Sequence, residues 1–238
     1  MRSGFEDYIK TQCADFICLQ ETRCEKFSIG LDGYFEYWNT GEQSGYAGVL
    51  TLSKYKPINV IRGIDNEDFD NEARAITLEF DEYFIVNIYI PSSVNKSLAR
   101  YYFRIEFDNA LYTFIENLKA AKPVIICGDF NVAHKYIDIN AGNLRNEENP
   151  PGFKAEEREG FEKLLSLGFI DSFRHLHPDS RTYTWFSKYK TKERRIDFGS
   201  RIDYFLVEEE FIDRVKSCTV NSHIKGSDHC PISLDITL

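Results

Sequence analysis

The sequence predicts a single α/β domain, spanning residues 1–238, in which packed mixed sheets carry helices on their outer faces. Its 238 residues are enough for one compact domain with a sizeable core. Many short apolar runs, rich in β-branched and aromatic residues, alternate with only a few segments of helical periodicity. Two of the runs, Ala73–Phe80 and Tyr83–Ile90, flank the short Asp81-Glu82 connection and predict an antiparallel hairpin, which a purely parallel sheet would not contain.

Eight apolar runs are the predicted strands, because each is short and enriched in residues that favour extended backbone. The final run alternates apolar with polar residues, as is typical of a strand with one buried and one wet face. The predicted strands are Asp15–Gln20, Tyr46–Leu52, Ala73–Phe80, Tyr83–Ile90, Pro123–Cys127, Ile202–Val207, Ser217–Ile224 and Pro231–Leu238.

Two longer segments are the predicted helices. Apolar residues recur at steps of three and four within Ser97–Ala121, and the periodic segment Ala155–Leu167 ends at Gly168, a typical C-terminal cap. The longest irregular stretch, Ile139–Lys154, contains glycine and proline and predicts a surface loop.

The composition excludes several classes of protein. With 42% hydrophobic, 15% aromatic and 28% charged residues, the chain is neither disordered nor fibrous, and no apolar run approaches the roughly 20 residues that span a bilayer. The formal net charge of −9 argues against binding to nucleic acid through bulk electrostatics alone. It does not exclude a nuclease, since carboxylates that hold a divalent cation are counted as negative. Basic residues between Lys188 and Arg201 provide a local basic face.

The cysteines and the N-terminus indicate the compartment. The six cysteines form no Cys-x-x-Cys pair, and Cys18 and Cys127 lie in apolar runs, which predicts reduced, buried thiols. The first residues lack the apolar core of a signal peptide. We therefore expect a cytoplasmic protein, or a nuclear one if the source is eukaryotic.

Polar residues that suit catalysis lie where predicted strands begin or end. Glu21 and Asp129 each follow an apolar run, Asp203 lies at the start of another, and His229 precedes the last. Such boundaries are where α/β folds usually build sites. One loop aspartate is more often a turn or cap residue, but four such residues together favour a functional site.

This set of side chains fits metal-assisted cleavage of a phosphodiester. Glu21 offers the oxygen ligand that Mg²⁺ prefers. Asp129 and Asn131, two residues apart, can orient and deprotonate a water molecule. His229 can bond or protonate a phosphoryl oxygen if an acid, such as Asp203, fixes the orientation of its ring. The spacing alone does not separate a catalytic His-Asp pair from a structural one.

Five motifs of the sequence resemble those of the exonuclease III type of apurinic/apyrimidinic endonucleases, within the endonuclease/exonuclease/phosphatase superfamily. They follow the family's order along nearly the whole chain, which makes the resemblance much more specific than any single motif. The motifs are Leu19-Gln20-Glu21-Thr22, Gly128-Asp129-Phe130-Asn131-Val132-Ala133-His134, Asp171-Ser172-Phe173-Arg174-His175, Arg201-Ile202-Asp203-Tyr204-Phe205-Leu206 and Gly226-Ser227-Asp228-His229-Cys230-Pro231-Ile232.

The resemblance implies a four-layer α-β-β-α sandwich of two mixed sheets with helices outside, as in deoxyribonucleases. It implies a monomer, with no membrane association, that uses Mg²⁺, or Mn²⁺ in its place, to incise double-stranded DNA on the 5′ side of abasic sites in base excision repair. Accompanying 3′-phosphodiesterase or 3′→5′ exonuclease activity stays open. The implied roles are metal binding by Glu21 and Asp228, catalysis by Tyr89, Asp129, Asn131, Asp203 and His229, and substrate contacts by Arg74, Asn146, Asn149 and Trp185.

Three departures from the family pattern qualify this transfer. The family's first strand, with its Ser-Trp-Asn-Val-Asn/Asp-Gly motif, has no counterpart, so we expect an N-terminally truncated domain with unpaired sheet edges, a tendency to aggregate and weak activity at best. Ser200 and Ser92 stand where the family commonly has Trp and Asn.

Two other functions stay open at this point. A superfamily phosphatase acting on inositol phosphates or lipid headgroups shares the Gly-Asp-x-Asn and Ser-Asp-His motifs, but it gives no reason for Trp185 or for the match at Asp171–His175. A non-catalytic remnant that binds DNA fits the absent first strand. Cleavage of an abasic duplex, phosphate release from inositol phosphates, or binding without cleavage distinguishes the three.

Overall fold

The computed structural model describes residues 5–93, 97–144, 150–187 and 199–238. The chain divides into two compact units. The first unit comprises Met1–Tyr89 and Asn117–Gly128, and the second comprises Ile90–Glu116 and Asp129–Leu238. Within the described ranges, the helices are all too short or too polar to cross a membrane.

One sheet of the first unit is antiparallel and has the strand order β1-β3-β2. Because β3 is central and fully buried, its Leu50 and Leu52 pack with Trp38 of β2 in an apolar cluster. Ile9 of the N-terminal helix α1 completes this cluster. These elements are α1 (Phe5–Thr11), β1 (Phe16–Gln20), β2 (Phe35–Asn39) and β3 (Val49–Ser53).

The other sheet of the first unit places β4 beside β5, β5 beside β6, and β6 beside β7. The β5–β6 pair is antiparallel, with Ala75 opposite Ile88, which confirms the predicted hairpin. A Cβ atom at Gly128 of β7 would lie 1.8 Å from the Ile88 carbonyl oxygen, so only glycine allows the two backbones to approach this closely. These elements are β4 (Asn59–Arg62), α2 (Glu67–Asp70), β5 (Ala75–Glu79), β6 (Phe84–Tyr89) and β7 (Val124–Asp129).

The second unit pairs its strands antiparallel, β8 with β11, β9 with β10, and β12 with β13. Edge-to-face contacts of Phe130 with Phe161 and Tyr204 form part of its core. Its elements are α3 (Leu98–Lys119), α4 (Ala141–Leu144), α5 (Ala155–Leu165), β8 (Phe169–Asp171), α6 (Ser172–Leu176), β9 (Trp185–Phe186), β10 (Gly199–Ser200), β11 (Asp203–Glu208), β12 (Val215–Val220) and β13 (Ile232–Ile236). Short 3₁₀ helices cover Tyr136–Asp138 and Glu209–Arg214.

Each of the eight predicted strands overlaps an observed strand, with ends that differ by up to four residues, and α3 and α5 confirm both predicted helices. The sequence did not predict β2, β4, β8, β9 and β10, and the structure differs in three further respects. β3 begins only at Val49, because Ala47 and Gly48 have positive φ angles of 46° and 84°. The predicted loop Ile139–Lys154 contains the short helix α4. All six cysteines are free thiols, but only Cys127, Cys218 and Cys230 are buried, whereas Cys18 and Cys24 are partly exposed and Cys13 is exposed.

Candidate active site

Glu21 lies directly after β1, in a turn that the neighbouring loop holds in place. Its φ angle is 53°, in the left-handed region that non-glycine residues rarely adopt. The N–H groups of Thr22 and Arg23 donate to the carbonyls of Gly48 and Ala47 at 3.1 and 2.9 Å. A Cβ at Gly48, which has a φ of 84°, would lie 2.5 Å from the Thr22 hydroxyl oxygen, so this position requires glycine.

The Glu21 carboxylate has two partners in the first unit. The Tyr89 hydroxyl donates a short hydrogen bond to its Oε1, and Arg23 Nη2 lies 2.7 Å from the same oxygen. The Glu21 side chain is 35% exposed. Its carboxylate is thus a hard oxygen donor that solvent can reach, and this chemistry fits a Mg²⁺ ligand.

Arg74 is buried beside Tyr89, with only 3% of its side chain exposed. Its Nη1 donates to the Tyr89 carbonyl at 3.2 Å, and its guanidinium carbon lies 4.5 Å from the centroid of the Tyr89 ring. Its Nε donates to Glu72 at 2.5 Å, and its Nη2 donates to the Tyr46 hydroxyl at 3.1 Å. Arg74 therefore packs against the ring of Tyr89, and in this structure its charge is already paired with Glu72.

In the second unit, Asp129 and Asn131 form one hydrogen-bonded turn at the end of β7. Asn131 donates its backbone N–H to Asp129 Oδ1 at 2.9 Å and its Nδ2 to Asp129 Oδ2 at 3.2 Å. The same Nδ2 also donates to the Ile90 carbonyl at 2.9 Å. Asn131 has a φ of 50°, and Asp129 is only 4% exposed. The amide thus orients the carboxylate, as the two-residue spacing predicts.

His229 and Asp203 form an ion pair. The distances from His229 Nδ1 to Asp203 Oδ2 and Oδ1 are 3.0 and 3.2 Å. Burial alone would lower the pKa of His229, but the negative charges of Asp203, Asp129 and Asp228 outweigh it and raise this pKa to about 10. The ring is therefore a protonated imidazolium at neutral pH, and its Nε2 carries a second N–H.

One ligand atom from each of Asp129, Asp203 and His229 lies within 4.8 Å of the others. The sequence prediction that these residues come together is therefore correct for the second unit. A carboxylate that can take a proton and an imidazolium that can donate a hydrogen bond lie side by side, which suits attack of water on a phosphate.

Trp185 and Asp228 lie close to this cluster. Trp185 forms an antiparallel bridge with His229, and the Phe186 N–H donates to the Asp228 carbonyl at 3.0 Å. The half-buried indole packs against a cluster that contains Phe153 and Ile202. Asn146 and Asn149, and the basic residues Lys188–Arg195, lie outside the described residues. Arg201, the last residue of the predicted basic face, is buried in ion pairs with Asp138 and Asp171, so the prediction is wrong for this residue.

Sequence reasoning missed Thr184. Its hydroxyl, fully buried, accepts hydrogen bonds from the backbone N–H groups of Ile202 and Asp203 at 3.0 and 3.1 Å. It therefore fixes the backbone that carries the acid partner of His229. Thr184 directly precedes Trp185, an implied substrate contact, but a threonine before an aromatic residue forms no sequence pattern that would identify this role.

Comparison with known proteins gives matches along nearly the whole chain. Residues 2–229 match the sequence model of the Endonuclease/Exonuclease/phosphatase family. The chain is 41% identical over 240 residues to the exodeoxyribonuclease of Bacillus subtilis (strain 168), covering 100% of this chain and 94% of the relative. It is 38% identical over 235 residues to the DNA repair nuclease APEX1 of Danio rerio, covering 96% of this chain and 75% of the relative.

A solved structure of an AP endonuclease from Archaeoglobus fulgidus superposes with a TM-score of 0.85 at 26% identity, covering 98% of this chain and 93% of that one. The chain belongs to the Endonuclease/Exonuclease/phosphatase family. Within it, the relatives confirm the predicted exonuclease III type of AP endonuclease, the α/β fold class and a nuclease-type hydrolase.

Proposed function

We propose that this protein is a divalent-metal-dependent phosphodiesterase that incises double-stranded DNA on the 5′ side of abasic sites. The observation that carries the proposal is the cluster of Asp129, Asp203 and His229, with ligand atoms within 4.8 Å of one another. The names of relatives about 40% identical to the chain, an exodeoxyribonuclease and a DNA repair nuclease, support DNA as the substrate. We expect the enzyme to act as a monomer in the cytoplasm, or in the nucleus of a eukaryote.

The hydrolytic step assigns a role to each residue of the cluster. Asp129, oriented by Asn131, positions a water and takes its proton as the water oxygen attacks phosphorus. The imidazolium of His229 donates a hydrogen bond to a phosphoryl oxygen, on which negative charge grows. Asp203 holds this ring through Nδ1. The bond from phosphorus to the 3′ oxygen breaks, and that oxygen leaves as a hydroxyl after taking a proton from solvent.

The residues present fit a hard divalent cation. Glu21 is the proposed ligand in the first unit, and Asp228 is the proposed ligand in the second. When bound, Mg²⁺ or Mn²⁺ would polarise a phosphoryl oxygen and neutralise part of its charge. Tyr89 donates to Glu21 Oε1 and holds that carboxylate in orientation. We expect its hydroxyl to face the scissile phosphate.

Substrate contacts are proposed for Arg74, Asn146, Asn149 and Trp185. The half-buried indole of Trp185 forms the aromatic wall of a pocket that admits an abasic sugar and excludes a normal base. Because the net charge is −9, DNA affinity must come from local cationic groups and the metal, and it should weaken steeply with added salt.

The proposal is tested with a 5′-labelled duplex that contains one tetrahydrofuran abasic analogue, with the undamaged duplex as control. We expect one cut on the 5′ side of the analogue, which EDTA abolishes and added Mg²⁺ restores. Release of phosphate from inositol phosphates without incision would favour the phosphatase function instead. Binding of the duplex without cleavage at any metal concentration would leave only a DNA-binding role. A duplex with a recessed 3′ end, run in parallel, measures exonuclease activity.

A further inference from the structure

Helix α3 carries a buried ion pair that the proposed chemistry does not use. Arg104 Nε lies 2.7 Å from Asp108 Oδ2, one helical turn further along. The side chains of Arg104 and Asp108 are 1% and 9% exposed. A buried pair of this kind is costly to desolvate and is often replaceable by apolar side chains without loss of stability. Stability alone therefore gives little reason for an arginine here.

The guanidinium reaches the turn that contains the proposed general base. Arg104 Nη1 donates to the Pro91 carbonyl at 2.9 Å and lies 3.5 Å from the Asn131 carbonyl, at the outer limit of a hydrogen bond. The two segments that it joins are already connected, since Asn131 Nδ2 donates to the Ile90 carbonyl and the Ile90 N–H donates to the Asp129 carbonyl. Arg104 thus contacts both of the segments, residues 90–91 and 129–131, whose mutual hydrogen bonds position the Asp129 carboxylate.

This turn needs such support because its backbone is strained. Asn131 has a φ of 50°, and non-glycine residues keep that conformation only where their surroundings fix it. The Asn131 backbone N–H and side-chain amide together bond both oxygens of Asp129. If the Asn131 backbone relaxed, both hydrogen bonds to the carboxylate would change.

The ion pair itself is tightly held. A Cβ atom at Gly160 of α5 would lie 2.9 Å from Asp108 Oδ2, so glycine here makes room for the carboxylate. Leu111, Phe130 and Phe161 line the remaining space around the pair, which amounts to about 10 Å³, no more than one water molecule needs. The guanidinium is therefore packed in one position.

We propose that Arg104, fixed by Asp108, is a positioning residue that holds the Asp129–Asn131 turn in its reactive geometry. The inference rests on the function proposed above, because it assigns Arg104 an effect on the rate through Asp129. Displacing a reactive group by about 1 Å can lower a rate roughly 100-fold, so loss of the support should act on kcat and not on DNA binding.

The test compares the double variant Arg104→Met/Asp108→Leu, which keeps the volume and removes both charges, with Leu111→Ala as a matched control. Leu111 lies on the same helix and lines the same space, but it makes none of these hydrogen bonds. We expect the double variant to lower kcat for abasic-duplex incision about 10- to 100-fold with KM within about threefold of wild type. Leu111→Ala should lose thermal stability and keep kcat within about twofold. The single variant Arg104→Lys, which keeps a positive charge, should retain more of the wild-type kcat than the double variant.

Two further measurements make the result decisive. In an Asn131→Ala background the Arg104→Met/Asp108→Leu change should cost much less in kcat, because the two act through the same turn. Amide hydrogen exchange should show lost protection at the Asn131 N–H in the double variant, and this readout does not depend on any activity. Unchanged kcat, additive losses in the Asn131→Ala background, or unchanged exchange would overturn the proposal. A wild-type protein that fails to incise the duplex while exchange still reports the loss would instead refute the proposed function.

Discussion

The two units hold their functional carboxylates in opposite electrostatic settings. In the first unit, Glu21 is 35% exposed and its partner Arg23 is 58% exposed. In the second unit, Asp129 and Asp203 are at least nine-tenths buried, and the His229 imidazolium compensates their charge. An accessible carboxylate exchanges its partners at little cost in free energy. A buried carboxylate instead needs a fixed positive group beside it to compensate its charge. The contrast favours cation binding by the accessible Glu21 and proton transfer at the buried Asp129.

The turns that carry Glu21 and Asn131 share one backbone conformation. Glu21 and Asn131, with φ angles of 53° and 50°, both take the left-handed conformation immediately after a strand or within two residues of its end. Such a conformation costs on the order of 1 kcal/mol or more for a non-glycine residue. In each unit, hydrogen bonds from a neighbouring segment hold the turn.

The largest effect is expected for Asp129→Asn in the second unit. The amide keeps the shape of the side chain but cannot take a proton from water, so kcat should fall about 1,000-fold with little change in duplex affinity. Single-turnover incision and a separate binding titration measure the two quantities. Asp213→Asn, at an exposed position of the same unit, is the control and should leave both unchanged. Equal losses of rate and affinity would indicate a folding or docking role for Asp129.

A smaller loss, about 100-fold in kcat, is expected for His229→Gln. Glutamine retains a hydrogen-bond donor but loses the positive charge that Asp203 and Asp129 stabilise on the ring. The matched control is His223→Gln, which changes an exposed histidine in the preceding loop and should have no effect. Retention of more than half of the wild-type rate by His229→Gln would contradict the assigned role.

In the first unit, substitution of Glu21 should change how the rate depends on the Mg²⁺ concentration. Removing the negative charge with Glu21→Gln should raise the Mg²⁺ concentration that gives half-maximal rate about tenfold, and high Mg²⁺ should restore most of the rate. Glu25→Gln, at an exposed glutamate four residues along, is the control. If Glu21→Gln lowers kcat at saturating Mg²⁺ and leaves the metal dependence unchanged, Glu21 is not a ligand of the cation.

Sequence patterns predicted the parts of the site that lie at strand ends. Glu21, Asp129 and Asp203 are visible because an apolar run stops or starts beside each of them. The pairing of Asp203 with His229 joins residues 26 positions apart, and no local periodicity encodes that contact. Arg104 looks like a solvated charge on a helix, since only tertiary packing shows that it faces inward.

The missed strands have a comparable cause. β2 contains Glu36 and ends at Asn39, and β8 is three residues long, so neither forms an apolar run. Glu36 is tolerated in β2 because the N–H groups of Ile29 and Gly30 and the Trp38 indole donate to its carboxylate. Partners distant in sequence thus decide structure where local composition is neutral.

Buried and exposed ion pairs should also differ in how much they stabilise the protein. Asp138, fully buried, accepts from Arg201 Nε at 2.8 Å and from Arg174 Nη2 at 2.5 Å. Burial raises the pKa of Asp138, but the two guanidinium groups outweigh it and hold that pKa below its usual value. A carboxyl whose pKa is lowered by folding stabilises the protein above its unfolded-state pKa of about 4, and this stability is lost as the pH falls through the folded-state value.

Asp138→Asn should therefore destabilise the protein by about 3 to 5 kcal/mol at neutral pH, since it leaves Arg201 without one of its buried partners. The difference from wild type should shrink as the pH falls below about 4, because protonated aspartate resembles asparagine. Urea unfolding at a series of pH values measures it. Asp15→Asn, which breaks the exposed pair with Lys54 in the first unit, should leave the unfolding free energy unchanged within error at every pH. If the difference in unfolding free energy between wild type and Asp138→Asn stays constant down to pH 2, the ion pairs of Asp138 do not account for its effect on stability.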